Sequence, residues 1–201
     1  KERNKLWVGH IFGLTSIDLN TKTFETREIQ FEKGGNLLSQ PEVLNIYIDT
    51  SRQRIYLGTR SYGLLIYEVD NGMYTKVDAS RGVSSNTVYN IFLHNNLLFN
   101  CTERGLTVLD LETGFTYSFF QEDGLPANEL NTNSYEITKD QEVILGTVNG
   151  FTNFSLRDIY AQPTEYNIIL ERIVVKDKNG TVIQEIHNKL DNETTVITKN
   201  A

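Results

Sequence analysis

Apolar and polar residues alternate in four short segments that recur along most of the chain. Each segment begins with apolar residues, passes a small residue and a short turn, and ends in a second alternating run after a glycine. The segments start 49, 43 and 45 residues apart: LWVGHIFGLTSIDL from Leu6, IYLGTRSYGLLIYEV from Ile55, LFNCTERGLTVLDL from Leu98 and VILGTVNGFTNFSL from Val143. Alternation with a period of two is typical of β-strands, so each segment predicts a pair of antiparallel strands.

Further strands are predicted on both sides of these pairs. A polar turn and a strand-like run precede the last three pairs: LSQPEVLNIYI from Leu38, VSSNTVYNIFL from Val83 and LPANELNTNSYEI from Leu125. A tight turn and a short strand with aromatic residues follow the first three pairs, around Phe24, around Tyr74 and at 115–120. One repeat therefore predicts four short antiparallel strands in about 45 residues.

A four-stranded unit that recurs every 40 to 50 residues is typical of a β-propeller blade. Two other all-β architectures, a sandwich and a solenoid, also contain short strands, but the even spacing disfavours the sandwich. We predict an all-β fold in which residues 1–163 form three to four blades of a partial β-propeller.

Cys101, the only cysteine, lies in the middle of a predicted strand, at the place held by Gly9, Gly58 and Gly146 in the other segments. Glycine inside a strand usually marks a close approach of another backbone. Cysteine is small and is readily buried. We therefore predict that the Cys101 thiol fills space in the core and is neither a nucleophile nor a metal ligand.

Other residues that could carry chemistry occur without the spacing that catalysis or metal binding requires. The adjacent pair Glu122 and Asp123 falls in a connecting loop and predicts a solvated turn. Recurring polar residues near the end of one strand predict turn capping or solvation of an edge: Asp18, Glu68, Asp110 and Ser155. The three histidines, His10, His94 and His187, lie in unrelated contexts. We predict no catalytic, metal-binding or cofactor-binding residue and expect no cofactor.

The asparagine-rich stretch LPANELNTNSYE, which includes Tyr135, admits two interpretations. Loops on a rigid scaffold often carry recognition, and amides beside an aromatic ring suit neutral polar ligands such as sugars. Alternatively, Asn86 and Asn128 hold their turns through bonds from side chain to backbone, because both occur at the same repeat position. The second interpretation is favoured, and no ligand-binding residue is assigned.

Composition narrows the classes of partner. The chain has 201 residues, is 39% hydrophobic and carries a formal net charge of −7, so it can form a core and has no excess of basic surface. Nucleic acid is therefore not an expected partner. No run approaches the roughly 18 to 20 consecutive apolar residues that span a bilayer. The chain opens directly on a repeat motif, and we expect it to be part of a longer protein.

The repeats resemble the two-component regulator propeller repeats of the periplasmic sensor part of bacterial hybrid two-component systems. LWVGHIFGL and IYLGTRSYGL are similar to that family's LWVGT-x-x-GL core. GVSSNTVYNI and GLPANELNTNS are similar to its GLPSN-x-V turn. The chain departs from the pattern at Asn100 and Cys101, at His10 in place of threonine, and before Leu38, where no glycine precedes the turn.

The tail extends the resemblance. Residues 165–186 predict a strand, a turn at Asn179 and Gly180, and a second strand. They look like the start of the immunoglobulin-like triple-tyrosine (Y_Y_Y) domain that follows the last blade in those sensors. Pro163 predicts the boundary, so residues 164–201 are interpreted as the beginning of that domain, which is incomplete.

The resemblance implies a function and a location. The chain would be part of the periplasmic input region of a membrane-anchored hybrid sensor histidine kinase, responding to an oligosaccharide or related nutrient, and would not itself be an enzyme. Two alternatives remain open: a propeller lyase or hydrolase, and a protein-interaction scaffold without a small ligand.

A partial ring also implies a partner, because it exposes an apolar blade face at each end. Leaving such a face in water costs on the order of 10 kcal/mol. We expect the missing blades to come from the parent chain or from self-association, with a dimer as the expected assembly.

Overall fold

A computed structural model describes residues 4–27, 41–159 and 172–187. The chain divides into two compact units, 1–160 and 161–201. The boundary predicted at Pro163 lies outside the described residues.

The first unit contains fourteen β-strands, one short α-helix and two 3₁₀ helices in the described residues, the latter at Ala79–Arg81 and Gln121–Asp123. The strands are β1 Lys5–His10, β2 Gly13–Asp18, β3 Phe24–Arg27, β4 Glu42–Asp49, β5 Arg54–Arg60, β6 Leu64–Glu68, β7 Tyr74–Val77, β8 Val88–His94, β9 Leu97–Thr102, β10 Gly105–Asp110, β11 Thr116–Phe119, β12 Leu130–Ile137, β13 Glu142–Thr147 and β14 Gly150–Ser155. Helix α1 spans Leu156–Ile159.

These strands form four antiparallel sheets, each built from neighbours in sequence. Blade 1 is β1 to β3, blade 2 is β4 to β7, blade 3 is β8 to β11 and blade 4 is β12 to β14. The structure thereby confirms the predicted all-β fold and partial propeller. In the described residues, blades 1 and 4 have three strands and blades 2 and 3 have four.

The predicted equivalence of the four segments is confirmed by the strand register. Leu6, Ile55, Leu98 and Val143 lie in β1, β5, β9 and β13, the strand that pairs with the run after the glycine. The strands β4, β8 and β12 pack against one another in turn, whereas β3, β7 and β11 lie at the opposite edges of their sheets. This arrangement places β4, β8 and β12 on the inner side of the arc.

The core lies between blades. Successive side chains of a strand point to opposite faces of the sheet. In β5, Ile55 and Leu57 therefore pack toward blade 1, whereas Tyr56 packs toward blade 3. Three buried clusters result, at the joints between blades 1 and 2, 2 and 3, and 3 and 4. Each sheet packs on the sheets that precede and follow it in the described chain, as expected of a repeat architecture.

The described part of the second unit is a hairpin. Strand β15 spans Arg172–Lys176, strand β16 spans Val182–His187, and the two pair antiparallel. Gly180 adopts a positive φ of 84° in the connecting turn, which glycine does without strain. The predicted strand, turn and strand are therefore confirmed for these residues, and the immunoglobulin-like assignment stays a prediction. No helix in the described ranges is long and apolar enough to cross a bilayer.

Candidate ligand-recognition site

The small residue that recurs in β1, β5 and β9 lies at the joint with the next blade, where little space is available. A β-carbon on Gly58 would lie 2.7 Å from the carbonyl oxygen of Val88 in the next blade. A β-carbon on Gly9 would lie 2.5 Å from Val43, again in the next blade. Cys101 is fully buried in the corresponding joint, in the same cluster as Leu130. The interpretation of Cys101 as a space-filling core residue is confirmed.

Burial also makes the Cys101 thiol chemically inert. Loss of hydration raises its pKa to about 12, since a buried thiolate is disfavoured. We expect iodoacetamide to leave the folded protein unmodified at pH 8 and to alkylate the single cysteine fully in denaturant. Mass spectrometry of both samples measures this. Rapid alkylation of the folded chain would contradict the burial of Cys101.

Aspartates at equivalent positions cap the turns that follow β2 and β10. Oδ1 of Asp18 accepts hydrogen bonds from the N–H groups of Asn20 and Thr21, and Asp110 does the same with Glu112 and Thr113. These bonds lower the pKa of both carboxyl groups.

The other two residues of this set have different contacts. Ser155 Oγ accepts a hydrogen bond from the N–H of Arg157. Glu68 instead forms an ion pair with Arg54 across the sheet, because its longer side chain reaches the opposite strand. Three of the four residues therefore bind local backbone N–H groups, and none of the four is paired with a nucleophile.

The connecting loops between blades are held by the predicted asparagines. Oδ1 of Asn86 accepts from the N–H of Ala79, and Oδ1 of Asn128 accepts from the N–H of Gln121. The turn-holding interpretation is therefore confirmed. In the second loop, Asp123 accepts from the N–H of Phe120 and Glu122 is exposed, as predicted for a solvated turn.

His10 accepts the same kind of backbone hydrogen bond as the threonine that it replaces in the repeat. In the third repeat, Thr102 Oγ1 accepts from the N–H of Arg104 and donates to the carbonyl of Gly105. In the first repeat, Nδ1 of His10 accepts from the N–H of Phe12. His94 and His187 lie in other elements, β8 and β16. Among the described residues, no group of three or more His, Cys, Asp or Glu is arranged to hold a metal ion.

The inner strands carry bulges near the end where the connecting loops arrive. Blades 2 and 3 each contain one extra residue, Leu44 and Tyr89, opposite the second strand. In blade 4, the register shifts between Leu130 and Tyr135, so β12 carries three extra residues relative to β13. We call residues 131–134 the β12 bulge. The strand-like run predicted after the polar turn is confirmed as Leu130–Ile137, so most of the asparagine-rich stretch that was considered as a recognition loop lies in a bulged strand.

Two asparagines that sequence reasoning missed lock neighbouring inner strands together. Oδ1 of Asn45 accepts from the N–H of Ile91 in the next blade. Asn90, at the equivalent position, accepts from the N–H of Asn133 and donates to the carbonyl of Asn131. The available signal was a polar residue repeated inside two otherwise apolar strands. The β12 bulge is thus held at both ends by one amide of blade 3.

Tyr135 belongs to the core. Its ring stacks on Phe92 at a centroid distance of 5.1 Å, and its hydroxyl donates to the carbonyl of Ile91. The sequence pattern offered Tyr135 as an aromatic surface for a ligand. The structure instead uses it to join blades 3 and 4, because the bulge changes which face of the sheet it occupies.

The side chains that remain exposed at the bulge are neutral and polar. Asn131, Thr132 and Asn133 are exposed, and Asn133 has a positive φ of 53°. Tyr89 is half-buried, and burial, followed by the charges of Glu129 and Glu103, raises the pKa of its hydroxyl. The hydroxyl therefore stays protonated and available as a donor. The site can supply hydrogen bonds and an aromatic surface to a neutral ligand.

Solved structures share this architecture. The extracellular domain of BT4673 from B. thetaiotaomicron, described as part of a one-component system in one solved structure and of a hybrid two-component system in another, matches with a TM-score of 0.60 and 21% identity over 76% of this chain and 20% of that chain. The β-propeller domain of Cps50 (Swd1) from Myceliophteria thermophila matches with a TM-score of 0.51 and 14% identity over 92% of this chain and 53% of that chain. The computationally designed Ika4 protein matches with a TM-score of 0.54 and 14% identity over 77% of this chain and 87% of that chain.

These likenesses show the fold. The chain spans about a fifth of the length of the BT4673 domain. No protein-family model and no curated protein sequence matches the chain. The first unit is therefore part of a β-propeller, and it shares its fold with the extracellular domain of a protein assigned to a hybrid two-component system.

Proposed function

We propose that this chain is part of the extracytoplasmic ligand-sensing region of a membrane-bound hybrid two-component sensor histidine kinase. The observation that supports the proposal most is the match to the extracellular domain of BT4673. The repeat motifs in the sequence point in the same direction. In this proposal the chain lies in the periplasm, the kinase is in another part of the same protein, and the chain itself performs no catalysis.

The proposed ligand is an oligosaccharide or a related neutral nutrient, and the proposed contact surface is the β12 bulge with Tyr89. Asn90 holds the bulge in one conformation before any ligand arrives, so little conformational entropy is lost on binding. Exposed amides and the Thr132 hydroxyl can both donate and accept hydrogen bonds, as sugar hydroxyl groups require.

Signalling would be a shift between two arrangements of rigid domains. A ligand produces such a shift only to the extent that it binds one arrangement more tightly. The inter-blade cores and the Asn45 and Asn90 locks join neighbouring blades, so we expect blades 1 to 4 to move as one body. Ligand contact at the inner side of the arc would then be transmitted as a movement of the propeller as a whole.

Binding is tested on the chain with a panel of neutral di- and oligosaccharides. We expect at least one sugar to raise the Tm saturably and to shift the amide resonances of residues 131–134. Thr132→Arg is expected to weaken that binding at least about tenfold, because a long cation would fill the exposed bulge. The matched control is Thr75→Arg, on the outermost strand of blade 2, where the threonine is also exposed.

Two outcomes would contradict the proposal. Equal loss of binding in both arginine variants would show that the sugar does not bind at the β12 bulge. Conversion of the sugar to product during incubation, followed by chromatography, would replace sensing by a lyase or hydrolase activity.

A further inference from the structure

The face of blade 1 that points away from blade 2 is mainly apolar, and most of it is exposed. We call it the blade 1 face; its apolar part consists of Leu6, Val8, Ile17 and Phe24. A small polar group at one end, Thr15 with His10 and Thr26, is joined by hydrogen bonds. Leu6 is 50% exposed and Phe24 is 77% exposed, although both lie in regular strands. The opposite face of the same sheet buries Trp7 and Leu14 against blade 2.

The register position of Leu6 is buried in blades 2, 3 and 4. Leu6 pairs with Ile17 in blade 1, and its equivalents pair in the same way in the other blades. These equivalents, Ile55, Leu98 and Val143, are completely buried against the preceding blade. Phe24 corresponds to Tyr74 in blade 2, which is 2% exposed, and to Thr116 in blade 3, which is half-buried. The blade 1 face therefore has the composition of a face that a preceding blade covers.

The three covered faces show what covers such a surface. In each case, the preceding blade contributes an aromatic residue two positions before its glycine or cysteine and a leucine directly after the next glycine. The pairs are Trp7 and Leu14 for blade 2, Tyr56 and Leu64 for blade 3, and Phe99 and Leu106 for blade 4. The covering chemistry is the same at all three joints.

The free face of blade 4 lacks this combination. Ile144 stands at the aromatic position and Phe151 at the leucine position, and Asn153 stands where the covering blades have Ser16, Ile66 or Val108. Ser134 also stands where blades 2 and 3 have the locking asparagines. A second copy of this chain would therefore offer a poor cover for the blade 1 face.

The free edge of β1 also indicates a partner with the structure of a blade. Among the described residues, β1 pairs only with β2, whereas β5, β9 and β13 also pair with an inner strand. We propose that the blade 1 face is a docking surface for one further blade of this repeat type. That blade would carry the aromatic and leucine pair, and the segment after it would add an inner strand to β1. The inference rests on the joints within this chain and does not depend on the ligand.

The proposal is tested by adding a further blade of the same repeat type before blade 1. Residues 41–96, which comprise blade 2, its connecting loop and β8, are duplicated directly before Lys5, so that the copied β8 becomes the inner strand of blade 1. Leu97 and Lys5 hold the same register position, which fixes the point of fusion. We then compare Phe24→Ser in the original and the extended chain.

We expect Phe24→Ser to lower the Tm of the extended chain by about 5 °C or more and that of the original chain by less than about 2 °C. Phe115→Ser is the matched control, because Phe115 is 66% exposed in a turn of blade 3 and should change neither Tm. Equal small effects of Phe24→Ser in both chains, with the extension folded, would overturn the proposal.

Two measurements on the original chain keep the proposal testable if the extended chain does not fold. Binding of bis-ANS should fall in the double variant Leu6→Ser and Phe24→Ser but not in Phe115→Ser, and unchanged dye binding would refute an accessible apolar face. Sedimentation should show no dimer that depends on both Phe24 and Phe151. A dimer lost in both serine variants would make a second copy the occupant and would overturn the proposal.

Discussion

Replacement of Phe99 by alanine is expected to lower the free energy of unfolding by about 3 to 5 kcal/mol. Phe99 is completely buried at the joint between blades 3 and 4. Its ring stacks on Phe92 with centroids 4.5 Å apart, and the ring of Phe154 in blade 4 lies 6.3 Å away. Alanine removes both contacts and leaves a cavity that two rigid sheets cannot close. Urea unfolding followed by circular dichroism measures the loss.

The control for this prediction is Tyr117→Ala. Tyr117 lies on the outermost strand of the same blade and is 55% exposed, so its truncation should cost less than about 0.5 kcal/mol. A similar loss in the two variants would show that the joint between blades 3 and 4 contributes no more than the surface.

Gly58→Ala is expected to destabilise the protein by about 1 to 3 kcal/mol, although alanine is usually favoured over glycine in a strand. The added β-carbon would lie 2.7 Å from the backbone oxygen of Val88. Backbone cannot rotate away as a side chain can, so blade 3 must shift relative to blade 2. Thermal and urea unfolding of the variant measure the effect.

Gly146→Ala at the equivalent position of blade 4 provides the comparison. There the new β-carbon would meet Ser134 of the β12 bulge, with Oγ at 2.8 Å and Cβ at 2.9 Å. The hydroxyl can rotate away, but Cβ moves only if the bulge shifts slightly. We expect a smaller loss than for Gly58→Ala, because a four-residue bulge moves more easily than a whole blade. If both glycines tolerate alanine equally, backbone crowding does not explain why the repeat places a small residue at this position.

The repeat could be predicted from the sequence because every joint uses the same side-chain sizes at the same register. Gly9, Gly58 and Cys101 all face a residue of the following inner strand, so a local pattern carries information about a distant contact. Cysteine is still small enough to be completely buried at this position, although its chemistry differs greatly from that of glycine. The repeat context therefore predicted a buried thiol correctly.

The inter-blade locks could not be predicted in the same way. Asn90 bonds to Asn131 and Asn133, more than forty residues away, and a lone asparagine in a strand does not specify such a partner. The sequence pattern also did not predict that the Tyr135 side chain packs in the core. Tyr135 lies five positions after buried Leu130, so simple alternation places the two side chains on opposite faces of the sheet. The three extra residues of the β12 bulge restore Tyr135 to the core face.

The placement of every core cluster between two sheets has a consequence for how such a protein changes size in evolution. Duplication of one whole 45-residue unit inserts a sheet that already fits both of its new neighbours, since each contact surface is a variant of an existing one. Duplication of half a unit would leave two surfaces without a match. Gene rearrangements that lengthen or shorten the arc are therefore expected to survive selection mainly when they cut at equivalent points of the repeat.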